Sequence, residues 1–159
     1  MNVDCFYEDG ARLLTPEAFV FLLAAELRRV IRAQAFLSLV SIEVRRVWNG
    51  LTVAADDATV DEVGALVARE VRACDAIARA GRGLLRLLLP DADVSAGASV
   101  IARVMARADG YRFASPIAIS IGAACCPTDA VDAESLKRVA FSRPMVSARR
   151  GVHPLSPTD

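Results

Sequence analysis

The residues best suited to act on a ligand are arginines set close to acids, and the clearest case is Arg72-Ala73-Cys74-Asp75. Three positions separate Arg72 from Asp75, so at a helix end the two side chains can face the same way. An arginine fork can grip phosphate oxygens or a guanine edge; the blander alternative is a local ion pair. Metal chemistry finds no footing in the spacing. Cys5, Cys74, Cys125 and Cys126 contain no CxxC pair, and His153 is the single histidine. Buried, reduced thiols are expected, with Cys125-Cys126 as a redox pair the alternative.

The element that must position Arg72 and Asp75 is a β-hairpin. A helix with a charged end is expected to run into Asp75. The apolar Ala76-Ile77-Ala78, a turn at Gly81-Arg82-Gly83 and the run Leu84 to Leu89 ended by Pro90 then follow. Upstream, Thr15-Pro16-Glu17 reads as a helix start, with Phe19, Leu22, Leu23, Leu27 and Val30 at helical spacing. Phe36 to Val44 reads as a central strand, and a polar loop with Asn49-Gly50 and Asp56-Asp57 follows. Thr59 is expected to open a second helix, and Asp91 to Ser95 to cap a third that ends at Asp109-Gly110. Pro116 to Cys126 reads as another buried strand with Gly122 at a bend or close contact. The last helix is expected from about Glu134, with Pro144 kinking or ending it.

The fold class this implies is α/β: one sandwich domain whose central mixed, largely antiparallel sheet is flanked by helices. With 159 residues the chain is long enough for one sizeable core. The expected division is a lead-in over 1–14, the domain over 8–151 and a tail over 152–159. Zero formal charge argues against a general affinity for nucleic acid or anionic membrane. Apolar runs are broken by Arg, Glu or Pro before membrane-spanning length, and no basic stretch at Met1 suggests a signal peptide. A cytoplasmic location is expected.

Several landmarks stand in register with one family. Leu13 to Phe19, Ser41-Ile42-Glu43 followed by Asn49, Asp75 to Gly81, Leu89-Pro90 and Ser120-Ile121-Gly122-Ala123-Ala124 together resemble a GGDEF domain. That is the bacterial diguanylate cyclase module, which joins two GTP molecules into the second messenger cyclic di-GMP. The resemblance covers about Glu8 to Gly151. It implies a nucleotide-cyclase-like fold and two carboxylate-held metal ions that polarise the triphosphate.

At the implied catalytic positions the chain departs from the family. Ser41 replaces the first metal-binding Asp, and the turn reads Gly81-Arg82-Gly83-Leu84-Leu85 where Gly-Gly-Asp-Glu-Phe is expected. Gly83 and Leu84 replace the acids, Arg82 adds a cation, and the phosphate-binding lysine of the last helix falls at Ala148. No metal, no cofactor and no cyclase activity are expected. In the guanine pocket, Asn49 matches a base-recognising residue and Asp57 could match its acidic partner. An Asn-Gly turn and a helix cap are their ordinary readings.

The resemblance also implies a second site, an inhibitory product site with the pattern Arg-x-x-Asp. Arg72 and Asp75 occupy it, and Arg103 on the next helix falls where a further arginine completes it. The expectation is therefore a catalytically inactive receptor that binds cyclic di-GMP through Arg72, Asp75 and Arg103. The alternative is a nucleotide-independent scaffold or dimerisation module. It would present the uncharged, arginine-poor turn surface around Leu84-Leu85 to a protein partner or a second copy, with no output domain attached.

Overall fold

The computed structural model describes residues 12–150, with side chains described only up to Val146. Residues 1–11 and 151–159, and with them Cys5, His153 and most of the expected lead-in and tail, lie outside it. Helix α1 spans Pro16–Ala33, started by the Thr15 hydroxyl, which accepts from the Ala18 amide at 3.3 Å. The following elements are β1 (Leu37–Trp48), β2 (Leu51–Ala54), α2 (Asp57–Ala68), β3 (Ala76–Gly81) and β4 (Leu84–Pro90). Then come α3 (Val94–Asp109), β5 (Ile117–Cys126), α4 (Ala133–Ser142) and β6 (Pro144–Arg150). The sheet order is β3-β4-β1-β5-β6 with β2 paired to the far end of β1. Every strand pairing is antiparallel, and the parallel component is a bridge from Leu14 to Ala78.

Alternation along the strands divides the core in two. Val40, Ile42, Val44, Leu85, Leu87, Leu89, Ile119 and Ile121 face α2 and α3, where Val60, Val63, Val67, Ile101 and Val104 pack on them. Leu37, Leu39, Leu88, Ala124 and Cys126 face the other way, onto Phe19, Leu23 and Leu27 of α1 and Leu136 of α4. This is the expected α/β sandwich. Gly122 is the close contact foreseen for β5, since any Cβ there would collide with the Ala140 carbonyl of α4.

Four boundaries differ from expectation. The polar loop after β1 is a hairpin: β1 runs on to Trp48 and turns at Asn49-Gly50, both at positive φ (48° and 76°), into β2. Helix α2 starts at Asp57, because the Asp56 carboxylate takes the cap by accepting from the Thr59 amide at 2.9 Å. The same helix ends at Ala68, so 69–75 is a looping segment and not a helix end. Pro144 neither kinks nor sits in α4. That helix ends at Ser142, and Pro144 opens β6 beside β5, where a missing N–H is tolerated at the first residue of a strand. Ala148 is therefore a strand residue paired with Ile119.

Candidate functional site

The open end of the β3–β4 hairpin is closed by Arg72 and Asp75. The Asp75 carboxylate accepts from the Arg72 amide at 2.8 Å, from Nη2 at 2.9 Å and from Nε at 3.3 Å. A backbone bond from the Asp75 amide to the Arg72 carbonyl, 3.1 Å, closes the turn. Nη2 of Arg72 also donates to the Pro90 carbonyl at 2.8 Å, which ties the start of β3 to the end of β4. The two partners differ in exposure: the Asp75 side chain is 1% exposed and that of Arg72 53%. The bond to Asp75 pushes the Arg72 guanidinium further up, so its charge is permanent. Behind the segment, Arg12 donates to the Ala68 and Arg72 carbonyls, each at 2.8 Å.

Arg103 joins the same segment at a different point. Its Nη2 donates to the Glu70 carbonyl at 3.2 Å, and no hydrogen bond links it to Arg72 or Asp75 among the described residues. Arg107, one helical turn on, pairs with the Glu70 carboxylate at 2.6 Å. The structure thus brings Arg72 and Asp75 together directly and places Arg103 two residues back along the loop. Chemically the arrangement offers exposed, rigidly aimed guanidinium groups. The Asp75 carboxylate is already committed to Arg72 and could accept from a guanine only if those bonds rearranged.

The opposite end of the hairpin is filled. Gly83 has φ +67°, and a Cβ there would come within 2.6 Å of the Val44 carbonyl and 3.0 Å of the Ala55 amide. Those atoms belong to the β1–β2 hairpin and its exit, which pack against the turn through a bond from the Val44 amide to the Gly83 carbonyl at 2.7 Å. Arg82 at the tip is exposed. Leu84 is half-buried and Leu85 fully buried, so of the two only Leu84 contributes to the turn surface, and Leu85 belongs to the core.

The metal implied by the resemblance does not fit these residues. Ser41 is buried, its Oγ without a hydrogen-bond partner among the described residues, directly opposite Arg86 on β4 and Gly122 on β5. Arg86 has a buried, unpartnered Nε, and burial pulls its guanidinium below the usual value, opposed by the charge of Glu134. Glu43, the carboxylate two residues along, pairs with Arg45 at 3.0 Å. A neutral hydroxyl, a half-buried cation and an engaged acid offer a divalent ion no charged ligand set. Among the described residues no group of three or more His, Cys, Asp or Glu could hold a metal. Arg86 escaped the sequence reading, although it is the one charge interrupting the run Leu84 to Leu89. Arg12 and Arg107 were also missed, because nothing local in sequence links them to the 69–75 segment, and so was Glu70, whose partner Arg107 lies on α3.

Of the residues considered for guanine, Asn49 takes its ordinary role as a turn residue, whereas Asp57 is not the helix cap, a place taken by Asp56. Asn49 is an exposed turn residue, and the Asp57 carboxylate pairs with Arg79 at 2.9 Å. Cys125 and Cys126 are free, buried thiols. Being adjacent on a strand they point to opposite faces, and burial pushes the Cys126 thiol up. No helix among the described residues is long and apolar enough to cross a membrane.

No family model matches the sequence, and no curated protein matches it. Solved structures do. The GGDEF domain of YfiN (TpbB) from Pseudomonas aeruginosa is 20% identical, covers 85% of this chain and 84% of its own, and superposes with a TM-score of 0.67. The GGDEF domain of DgcB from Caulobacter crescentus, solved with cyclic di-GMP, is 14% identical over 89% of each chain, with a TM-score of 0.68. The diguanylate cyclase SiaD of Pseudomonas aeruginosa, solved with its activator SiaC, is 18% identical over 82% of this chain and 54% of that one, at 0.63. The fold of this chain is that of GGDEF domains.

Proposed function

We propose that the chain is a catalytically inactive GGDEF-fold domain that acts in the cytoplasm as a cyclic di-GMP receptor through Arg72, Asp75 and Arg103. The observation that carries the reading is the Arg72 guanidinium, half exposed yet held in place by the buried Asp75 and the Pro90 carbonyl. A pre-aimed fork of this kind loses little freedom on gripping a phosphate or a guanine edge. The complex of the DgcB domain with cyclic di-GMP supports the ligand class. No catalytic metal or other cofactor takes part, since the positions that would hold one carry Ser41, Arg82, Gly83 and Leu84.

Calorimetry with cyclic di-GMP on the wild type and Arg72→Ala tests this. Binding by the wild type that is lost in the variant supports the receptor, and a silent wild type ends it. Incubation with GTP and Mg²⁺ is expected to yield no cyclic di-GMP.

A second reading, a nucleotide-independent interaction or dimerisation module, draws on the β1–β2 hairpin. Trp48, Leu51 and Val53 are 68%, 66% and 52% exposed there. Neighbouring apolar side chains of this size in water suit a protein partner or a second copy. The SiaD structure, solved with its activator, shows that a diguanylate cyclase can engage another protein. A partner recovered equally by wild type and Arg72→Ala without ligand would favour this reading, and its loss in Trp48→Ala would locate the contact.

A further inference from the structure

Between the segment that follows α2 and the C-terminal half of α3 lies a cavity of about 470 Å³ that includes neither Arg72 nor Asp75; its walls carry Arg69, Glu70, Arg103, Arg107 and Tyr111. The volume suits a nucleotide-sized ligand. Its electrostatics are one-sided. Glu70 is the single acid on the wall, and its carboxylate, 14% exposed on its side chain, is already held by Arg107 at 2.6 Å. Arg103 spends one donor on the Glu70 carbonyl. Arg69 has no hydrogen bond or ion pair through its side chain with any described residue. Guanidinium groups gathered around so little negative charge repel one another, and an anion bound among them removes that cost.

The aromatic wall is held as firmly as the cations. The Tyr111 ring packs on Phe113 at a centroid distance of 4.7 Å, and the loop is pinned where the Ala114 amide donates to Glu62 of α2 at 3.1 Å. At 42% exposure Tyr111 still presents ring surface to a planar group.

We propose that this α2–α3 cavity is the phosphate-binding half of the ligand site. It would take a phosphate or phosphodiester on Arg69, Arg103 and Arg107, with the attached base against Tyr111. Arg103 is the residue shared with the Arg72–Asp75 turn, so a two-phosphate ligand could span both. The identity of the base rests on the receptor reading above; the phosphate site does not.

Calorimetry with two probes, cyclic di-GMP and inorganic pyrophosphate, separates the two. Arg69→Ala removes no side-chain hydrogen bond or ion pair with a described residue and should leave the fold intact; Arg107→Lys keeps a cation for Glu70 while removing the fork. Both variants are expected to weaken both probes about tenfold, the loss of a charge-assisted bond. Arg72→Ala should abolish cyclic di-GMP binding and leave pyrophosphate unchanged. If cyclic di-GMP binds the wild type and Arg69→Ala alike, the cavity proposal is overturned while the receptor stands. If pyrophosphate binds and is lost in Arg69→Ala while cyclic di-GMP never binds, the cavity stands and the receptor falls. A wild type that takes neither probe overturns both.

Discussion

The two ends of the β3–β4 hairpin share strands and sheet neighbours but meet their surroundings in opposite ways. At the turn, Gly83 is pressed against the Val44 carbonyl and the Ala55 amide, so backbone occupies the space an acidic side chain would need. At the open end, Arg72 clasps Asp75 and the Pro90 carbonyl, yet more than half of its side chain faces water. One end is closed by packing; the other is closed by polar groups that a ligand can still reach. In the proposed receptor, structural and ligand roles therefore separate at the turn and coincide at the clasp.

The largest expected effect tests the closed end. Gly83→Asp restores the kind of residue a cyclase would carry there, and it should cost about 3 kcal/mol or more in urea unfolding. Strain at a positive φ and overpacking each contribute. A variant as stable as the wild type would mean the turn is open after all, and the contrast between the two ends would collapse.

Next comes the clasp itself. Asp75→Ala leaves the partly buried Arg72 amide without its acceptor and should cost about 1–3 kcal/mol. Arg72→Ala removes the exposed partner but leaves the buried Asp75 carboxylate without its cation, so it should also cost about 1–3 kcal/mol, while abolishing cyclic di-GMP binding. If instead Arg72→Ala is the more destabilising of the two, the clasp is structural and little else. Arg82→Gly at the exposed tip should change stability by less than about 0.5 kcal/mol and restore no product from GTP.

How much of this was readable in the sequence depends on the range of the interaction. Thr15-Pro16-Glu17 and the strand patterns carry their own local chemistry, so α1, β3, β4 and β5 fell close to where the residues said. Pro144 misled because its lack of an N–H is as compatible with the start of an edge strand as with a broken helix. Asn49-Gly50 is a strong hairpin signal, but Leu51 to Ala54 is too short and too exposed to read as a strand without its partner β1. Arg72 and Asp75 were visible as a pair because the spacing is local. Of the cavity arginines only Arg103 was, since Arg69 and Arg107 meet only when the end of α2 and α3 pack.

The smallest expected effect follows helix α2 from one end of the comparison to the other. Its N-terminus lies beside the turn, where Asp56 caps it by accepting from the Thr59 amide at 2.9 Å and hydroxyl at 2.6 Å. Those bonds, the hydroxyl's first, hold the Asp56 carboxyl below its ordinary value of 3.8, with Arg46 adding to the effect. A depressed folded-state value means the unfolded chain binds the proton more tightly. The cap's contribution is therefore complete above about pH 4 and fades as the pH falls through the folded value. At the other end of α2, Arg12 holds the Ala68 carbonyl, and an arginine–carbonyl bond does not titrate in acid. Hydrogen exchange below about pH 4, corrected for intrinsic rates, should show the Thr59 amide losing protection while amides near Ala68 keep theirs. Asp56→Ala should expose the Thr59 amide at every pH and remove the acid step. Equal loss of protection along the whole helix would mean that α2 opens as a unit, and that its two ends are not held independently.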